Sequence, residues 1–257
     1  RVPAAGPFQR VCYTFYLMDA SVSGVQGPPF EPQATPASEL AWRARRVQSL
    51  MREAQLDGLI ATHNADVFYL SGVVQQAQVY LPAEGTPVLM VRKHHGRARS
   101  LSSLPDGSVV PVSSLRELPG IIEAAGRKPG TIGFELDVLP VAVFQAYERA
   151  LSPLGADLAD ASAILRRARA IKSTFELSQI RRAAIVADAG FRAAAANLRP
   201  GMREVEVAAA VESAARIAGH SGTLRMRAYG QEMHMGHLLA GDSGAIASFM
   251  NSLNGGP

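Results

Sequence analysis

Apolar residues first recur at helical spacing from Ser38 onward, where Leu40, Ala44, Val47, Met51 and Ala54 form one stripe with Ser38 as cap and Asp57-Gly58 as stop. Leu59-Ile60-Ala61-Thr62 then reads as a short buried strand, and Ala65 to Leu70 as a single helical turn closed by Ser71-Gly72. Ala77–Leu81 and Pro87–Val91 flank Ala83-Glu84-Gly85-Thr86, a hairpin signature with glycine in the loop. Beyond it the pattern alternates: helix Lys93–Leu104, strand Val109–Val112, helix Ser114–Ala125, strand Thr131–Leu136, helix Val141–Leu151. Alternation of this kind predicts an α/β domain, a mixed sheet with helices on both faces.

The texture changes near Ile164, and a domain boundary is expected between residues 165 and 166. Ser173 caps a long helix, Phe175–Leu198, with Glu176 as capping-box partner and Leu177, Ile180, Ala184, Ala187 and Phe191 as its apolar stripe. After Arg199-Pro200-Gly201 a second helix, Arg203–Ala218, presents Val205, Ala208, Val211 and Ala215 as its inner face. Thr223–Tyr229, His237–Ala240 and Ala245–Phe249 read as strands between glycines, so residues 166–257 open an α+β domain. The turn signal Asn254-Gly255-Gly256-Pro257 predicts that this domain is incomplete. Residues 1–36, rich in proline and without periodicity, read as a disordered leader or linker, and Met18 is a possible natural start.

With 257 residues, 47% of them hydrophobic and 19% charged, the chain can build one large or two ordinary cores, which excludes a disordered chain. The longest uncharged stretch, Val67 to Ala83, is broken by Gly72, Gln75, Gln76 and Gln78, which excludes a membrane-spanning helix there. One cysteine, Cys12, permits neither an internal disulfide nor a multi-cysteine zinc site, and fits a reducing compartment. The net charge of +4 comes almost entirely from arginine. Arg43, Arg45, Arg46 and Arg52 cluster, but they interleave with the first apolar stripe and are expected on its solvated side. No aromatic-basic pattern accompanies them, so nucleic acid is not an expected partner.

Local motifs supply little chemistry. His94-His95 are adjacent and diverge on any regular element, so they cannot share one ion. His234 and His237 lie three apart near Glu232, but a strand would send them to opposite faces. His63 and His220 sit beside turns and read as surface or capping groups. No Gly-x-Ser-x-Gly elbow, phosphate loop or useful carboxylate pair is visible, and Glu204, Glu206 and Glu212 fall on the solvated side of a helix.

Three longer motifs are more telling. Arg45-Arg46-Val47-Gln48-Ser49-Leu50-Met51, Leu56-Asp57-Gly58-Leu59-Ile60 and Asn64-Ala65-Asp66-Val67-Phe68-Tyr69-Leu70-Ser71-Gly72 resemble the opening of the creatinase/prolidase N-terminal domain. Ile171-Lys172-Ser173-Thr174-Phe175-Glu176-Leu177 with Ile180-Arg181-Arg182-Ala183-Ala184 resembles the K-S-x-x-E start of the same family's catalytic domain. Leu198-Arg199-Pro200-Gly201-Met202-Arg203-Glu204 resembles its P-G-x-t-E turn. Three motifs in order identify a relative of the Xaa-Pro aminopeptidases, prolidases and creatinase, whose catalytic domain has the pita-bread fold.

That resemblance implies an α/β creatinase-like domain over 37–165 and the first part of a truncated α+β pita-bread domain over 166–257. It implies a hydrolase acting on peptides with proline at the second position through two divalent ions, manganese, cobalt or zinc. These generate hydroxide and polarise the scissile carbonyl. The family's ligands, two aspartates, a histidine and two glutamates, are expected after Pro257, so none falls in this chain and the chain alone is expected to be inactive. Gly241-Asp242-Ser243-Gly244-Ala245-Ile246-Ala247-Ser248 aligns with the family's G-x-N-a-a-x-p-H stretch, placing Ser248 where a cleft histidine stands and leaving His237 as the cleft-lining candidate. A cytoplasmic homodimer without nucleic-acid or membrane partners completes the implied picture. The alternatives are a noncatalytic binding or dimerisation protein and a creatinase-type amidinohydrolase, which needs no metal.

Overall fold

The computed structural model describes residues 33–222, 224–225, 227, 232–233, 235 and 238–246. It divides into two compact units, with the break between Glu176 and Leu177. The leader expected over residues 1–36 lies outside the described residues up to Pro32.

The first unit opens with α1 (Ala37–Glu53), whose N-cap is Pro36 rather than the expected Ser38. Proline's fixed φ, here −61°, directs the chain into the helix from an extended residue without any side-chain cap. There follow β1 (Gly58–Ala61), α2 (Asn64–Ser71), β2 (Ala77–Pro82), β3 (Val88–Val91), α3 (His95–Leu101) and β4 (Val109–Pro111). Next come α4 (Leu118–Ala124) after a 3-10 turn, β5 (Thr131–Phe134), α5 (Val141–Leu151), β6 (Asp157–Asp160) and α6 (Ser162–Ala170). The elements expected from periodicity are present, most with trimmed ends, and β6 and α6 are additions. The β6 sequence, Asp-Leu-Ala-Asp, carries one large apolar residue because it is a half-buried edge strand paired only with β5.

The six strands lie in the order β4-β3-β2-β1-β5-β6. β2 runs antiparallel to β1 and β3, while the β3–β4, β1–β5 and β5–β6 pairs are parallel. Period-two alternation sends Leu59, Ala61, Val79, Leu81, Leu89 and Val91 to one core, against α1, α2 and α6. Ile60, Tyr80, Met90, Ile132 and Phe134 go to the other, against α4 and α5. This is the mixed sheet with helices on both faces. Gly133 on β5 is required by packing, since a Cβ there would lie 2.6 Å from the Ala161 Cβ and 2.8 Å from Leu56 Cδ1.

The first unit continues past the boundary expected at 165/166: Ile164, Leu165 and Ala168 of α6 are buried in its core. Arg46 Nε donates to the Ala168 carbonyl (2.9 Å).

The second unit holds most of α7 (Thr174–Asn197), α8 (Glu204–Ile217), the antiparallel pair β7 (Leu224–Arg225) and β8 (Glu232–Met233), and α9 (Gly241–Ala245). Both helices occur as expected, but the predicted inner face of α7 does not: Leu177, Ile180 and Phe191 are exposed while Val186 and Gly190 are buried. On α8, Ala215 is buried and Ala208 and Val211 are half-buried as expected, with Val205 exposed and Val207 buried. The helices meet where side chains are smallest: a Cβ on Gly190 would stand 3.2 Å from Val211 Cγ1. The strand expected over Ala245–Phe249 begins instead as α9, and Leu238 to Ala240 of the strand expected over His237–Ala240 are irregular. Ile246 follows as the C-cap of α9, and the remainder of those two segments, His237 and residues 247–249, lies outside the described residues. Among the described residues no helix is long and apolar enough to cross a membrane.

Candidate functional site

His237, the cleft-lining candidate, and Ser248 lie outside the described residues, as does His234. His94 occupies the left-handed N-cap of α3 and is exposed, whereas the His95 Nε2 hydrogen-bonds the Val109 carbonyl (3.0 Å), so the adjacent histidines diverge as expected. His220 Nδ1 accepts from the Gly222 N–H (2.9 Å), a local turn contact. Glu204 is half-buried rather than on a solvated face, and its Oε1 accepts from the Ala240 N–H (2.6 Å). The Arg203 backbone N–H and guanidinium hold the exposed Glu206 carboxyl below its ordinary range.

The chemistry concentrates at the carboxyl edge of the main sheet, on residues that local spacing does not single out. His63 ends the turn after β1, Asp66 lies in the first turn of α2, and Glu135 follows β5. Parallel pairing of β1 with β5 aligns Ile60 with Phe134, and the two chains then deliver these side chains to one place. One nitrogen of His63 and one oxygen from each carboxyl lie within 4.8 Å of one another. His63 takes the N-cap position of α2, the capping place expected of it, but not as a surface group: its Nδ1 is buried, 3.5 Å from Asp66 Oδ2, without a hydrogen bond. Asp66 and Glu135 are both fully buried, and they are the carboxylate pair that sequence spacing conceals.

Each carboxyl is already engaged. Glu135 Oε2 accepts from the backbone N–H groups of Thr62 (2.6 Å) and His63 (3.0 Å), closing the turn that starts α2. Arg169, in the last turn of α6, donates to Asp66 Oδ1 (2.9 Å). An oxygen of each carboxyl lies within 4.8 Å of one of the other. Burial, followed by the neighbouring Asp66 carboxyl, pushes the Glu135 carboxyl up to about 8.

A pair of divalent ions bridged by carboxylates needs more free oxygen lone pairs than this. One His, one Asp and one Glu do not make the expected ligand set, and the Arg169 guanidinium occupies the side from which a cation would compensate Asp66. The trio does not fit the dinuclear centre.

A second polar cluster explains the K-S-x-x-E motif. Lys172 Nζ donates to the carbonyls of Arg169 (2.7 Å) and Ala170 (3.3 Å), capping the end of α6. The Ser173 N–H donates to Glu176 Oε2 (2.9 Å) and the Glu176 N–H to Ser173 Oγ (3.0 Å), the reciprocal box expected at the start of α7. Ser173 Oγ also donates to Glu39 Oε1 (2.7 Å). Arg43 binds Glu39 (2.8 Å), Glu176 (3.3 Å) and the Tyr69 carbonyl (3.2 Å). Its guanidinium lies 4.7 Å from the centre of the Tyr69 ring and 5.9 Å from that of Phe175. Arg43 is 3% exposed, so it does not share the solvated side expected for it; Arg45 and Arg52 do.

Known proteins carry the same order of parts. Residues 43–171 match the family model of the creatinase/prolidase N-terminal domain, and residues 178–254 that of metallopeptidase family M24. The uncharacterized hydrolase/peptidase y4tL of Sinorhizobium fredii is 31% identical over 220 residues, 75% of this chain and 54% of that protein. The uncharacterized peptidase YqhT of Bacillus subtilis is 23% identical over 182 residues, 69% of this chain and 49% of that protein. The chain thus spans about half the length of the curated relatives it matches. Among solved structures, a Xaa-Pro dipeptidase from Bacillus anthracis superposes with a TM-score of 0.63 at 22% identity, over 72% of this chain and 51% of that one. The prolidase from Pyrococcus horikoshii gives 0.58 at 22% identity, over 71% and 52%. At these identities the likeness is one of fold. Matched over half its length by the N-terminal domain and beyond it by the M24 family, the chain belongs to the creatinase/prolidase family of metallopeptidases.

Proposed function

We propose that the protein carrying this chain hydrolyses the peptide bond before proline, as a metal-dependent peptidase of the aminopeptidase P or prolidase type. The observation that carries this reading is the order of the two family matches, a creatinase/prolidase N-terminal domain at 43–171 followed by M24 sequence at 178–254. The family implies divalent metal ions, and the ligands are those expected after Pro257. In this reading the protein is a cytoplasmic homodimer, His237 lines the substrate cleft, and residues 1–257 alone are inactive.

The test is hydrolysis of Xaa-Pro dipeptides and longer Xaa-Pro peptides by the whole protein, with manganese and after chelation. Turnover that chelation abolishes and manganese restores is the expected outcome, with no turnover from residues 1–257. A whole protein that binds metal yet cleaves no Xaa-Pro bond sinks the reading. His237→Ala is expected to lower turnover without altering stability, and unchanged turnover removes His237 from the cleft. Ser248, in place of the family histidine, favours a second reading, a noncatalytic binding or dimerisation protein. Absence of turnover together with absence of metal binding selects it.

A further inference from the structure

β1 and β5 lie side by side and parallel, and the chain goes on from β1 to β2 on one side and from β5 to β6 on the other. Open α/β sheets carry their functional groups at the carboxyl end of such a switch point. Here that end holds two carboxyls of zero exposure, Asp66 and Glu135, with the Arg169 guanidinium bonded to Asp66. With both carboxyls ionised, two buried negative charges stand within 4.8 Å of each other, an arrangement that buried sites avoid by binding a proton.

We propose that Glu135 and Asp66 share one dissociable proton, and that this proton fastens the β1–α2 turn, the end of β5 and the last turn of α6 into one edge. The donors already in place divide the roles. The Thr62 and His63 amides fix Glu135 Oε2, Arg169 fixes Asp66 Oδ1, and the proton is held between the two carboxyls, whose oxygens lie within 4.8 Å of each other.

From the N-terminus of α2, His63 faces Asp66 at 3.5 Å. From α5, Tyr147 is pushed up to about 12 by its burial and then by Glu135, and its hydroxyl donates to Gln78 Oε1 (3.2 Å). Arg92, after β3, acts on Tyr147 in the opposite sense. Asp137 is paired with Arg166 of α6 (2.8 Å), and Asp160 accepts from Ser162. Arg169 is bonded directly to Asp66.

The sign follows from linkage. A carboxyl that stays protonated to about pH 8 when folded, and ionises near its ordinary 4.5 when unfolded, stabilises the fold less and less as pH rises between those values. One proton per molecule changes the folding equilibrium constant about tenfold per pH unit across the window, with a plateau above it.

Glu135→Gln keeps a donor toward Asp66 and removes the proton. Urea unfolding of the wild-type chain and of E135Q from pH 5 to pH 9 is expected to show wild type losing about tenfold per pH unit relative to E135Q, levelling near the upper end. A wild-type to E135Q ratio constant from pH 5 to 9 overturns the proposal. Carbon-13 NMR of glutamate-labelled wild type decides independently of whether E135Q folds: one glutamate carboxyl still protonated at pH 7 supports it, and none overturns it. Asp66→Asn should move that titration down by at least one pH unit. Zinc and manganese added to the wild-type chain should leave the unfolding midpoint where it was. Saturable stabilisation by either ion that E135Q removes would show that a cation, not a proton, closes the pair, and would overturn the proposal.

Discussion

Arg43 illustrates how a single side chain can defeat a polarity pattern. It lies three residues after Leu40 and four before Val47, so helix geometry puts it on the buried stripe, and only its charge places it on the water side in a sequence reading. Its burial is tolerated because two carboxylates, a carbonyl and two ring faces receive the guanidinium. Arg43→Ala leaves Glu39 and Glu176 short of a counter-charge, and is expected to cost about 3–5 kcal/mol by chemical denaturation. Arg43→Lys should recover only a part, since an ammonium cannot reach three acceptors while stacking on Tyr69. A loss below about 1 kcal/mol in the alanine variant would show that the cluster contributes no net stability. His63, Asp66 and Glu135 escape sequence reading for another reason: the parallel strand pair that joins them leaves no trace in local spacing.

Elements were legible where local chemistry decides them and obscure where tertiary contact does. The start of α7 is of the first kind, since Ser173 and Glu176 announce a reciprocal cap three residues apart and the structure forms it. Ser173→Ala should cost about 1 kcal/mol from the cap. The lost bond to Glu39 adds to that, so a Thr variant, which keeps the hydroxyl, should restore most of the melting temperature. Equal losses in Ala and Thr would place the effect outside the hydroxyl. The face of α7 is of the second kind. Its large apolar residues repeat at helical period, yet it meets Val211 of the expected α8 face through Gly190, because a residue without Cβ permits the closest approach. β6 was hidden by its edge position, where two aspartates can face water while the backbone pairs on one side.

At the scale of the whole molecule the two units differ in how much they bury, and the position of the break has a measurable consequence. The first unit closes a core on each face of its sheet, with residues such as Leu59, Tyr80 and Phe134 at 0–1% exposure. A boundary read from composition at 165/166 cuts through α6. Residues 33–165 lack Ala168, whose carbonyl receives Arg46, Arg169, which neutralises Asp66, and Ser173 and Glu176, which complete the Arg43 cluster. Removing the partner of a buried charge costs about 3–5 kcal/mol, and here Asp66 and Arg43 both lose one, a sum comparable with the stability of an ordinary domain. Residues 33–176 keep every one of these contacts. The shorter fragment is therefore expected to be unfolded or molten by circular dichroism and amide exchange, while 33–176 melts cooperatively with slow exchange in β1, β2 and β5. Cooperative folding of 33–165 with the same midpoint would show that α6 and the polar groups after it are carried by the sheet rather than required by it.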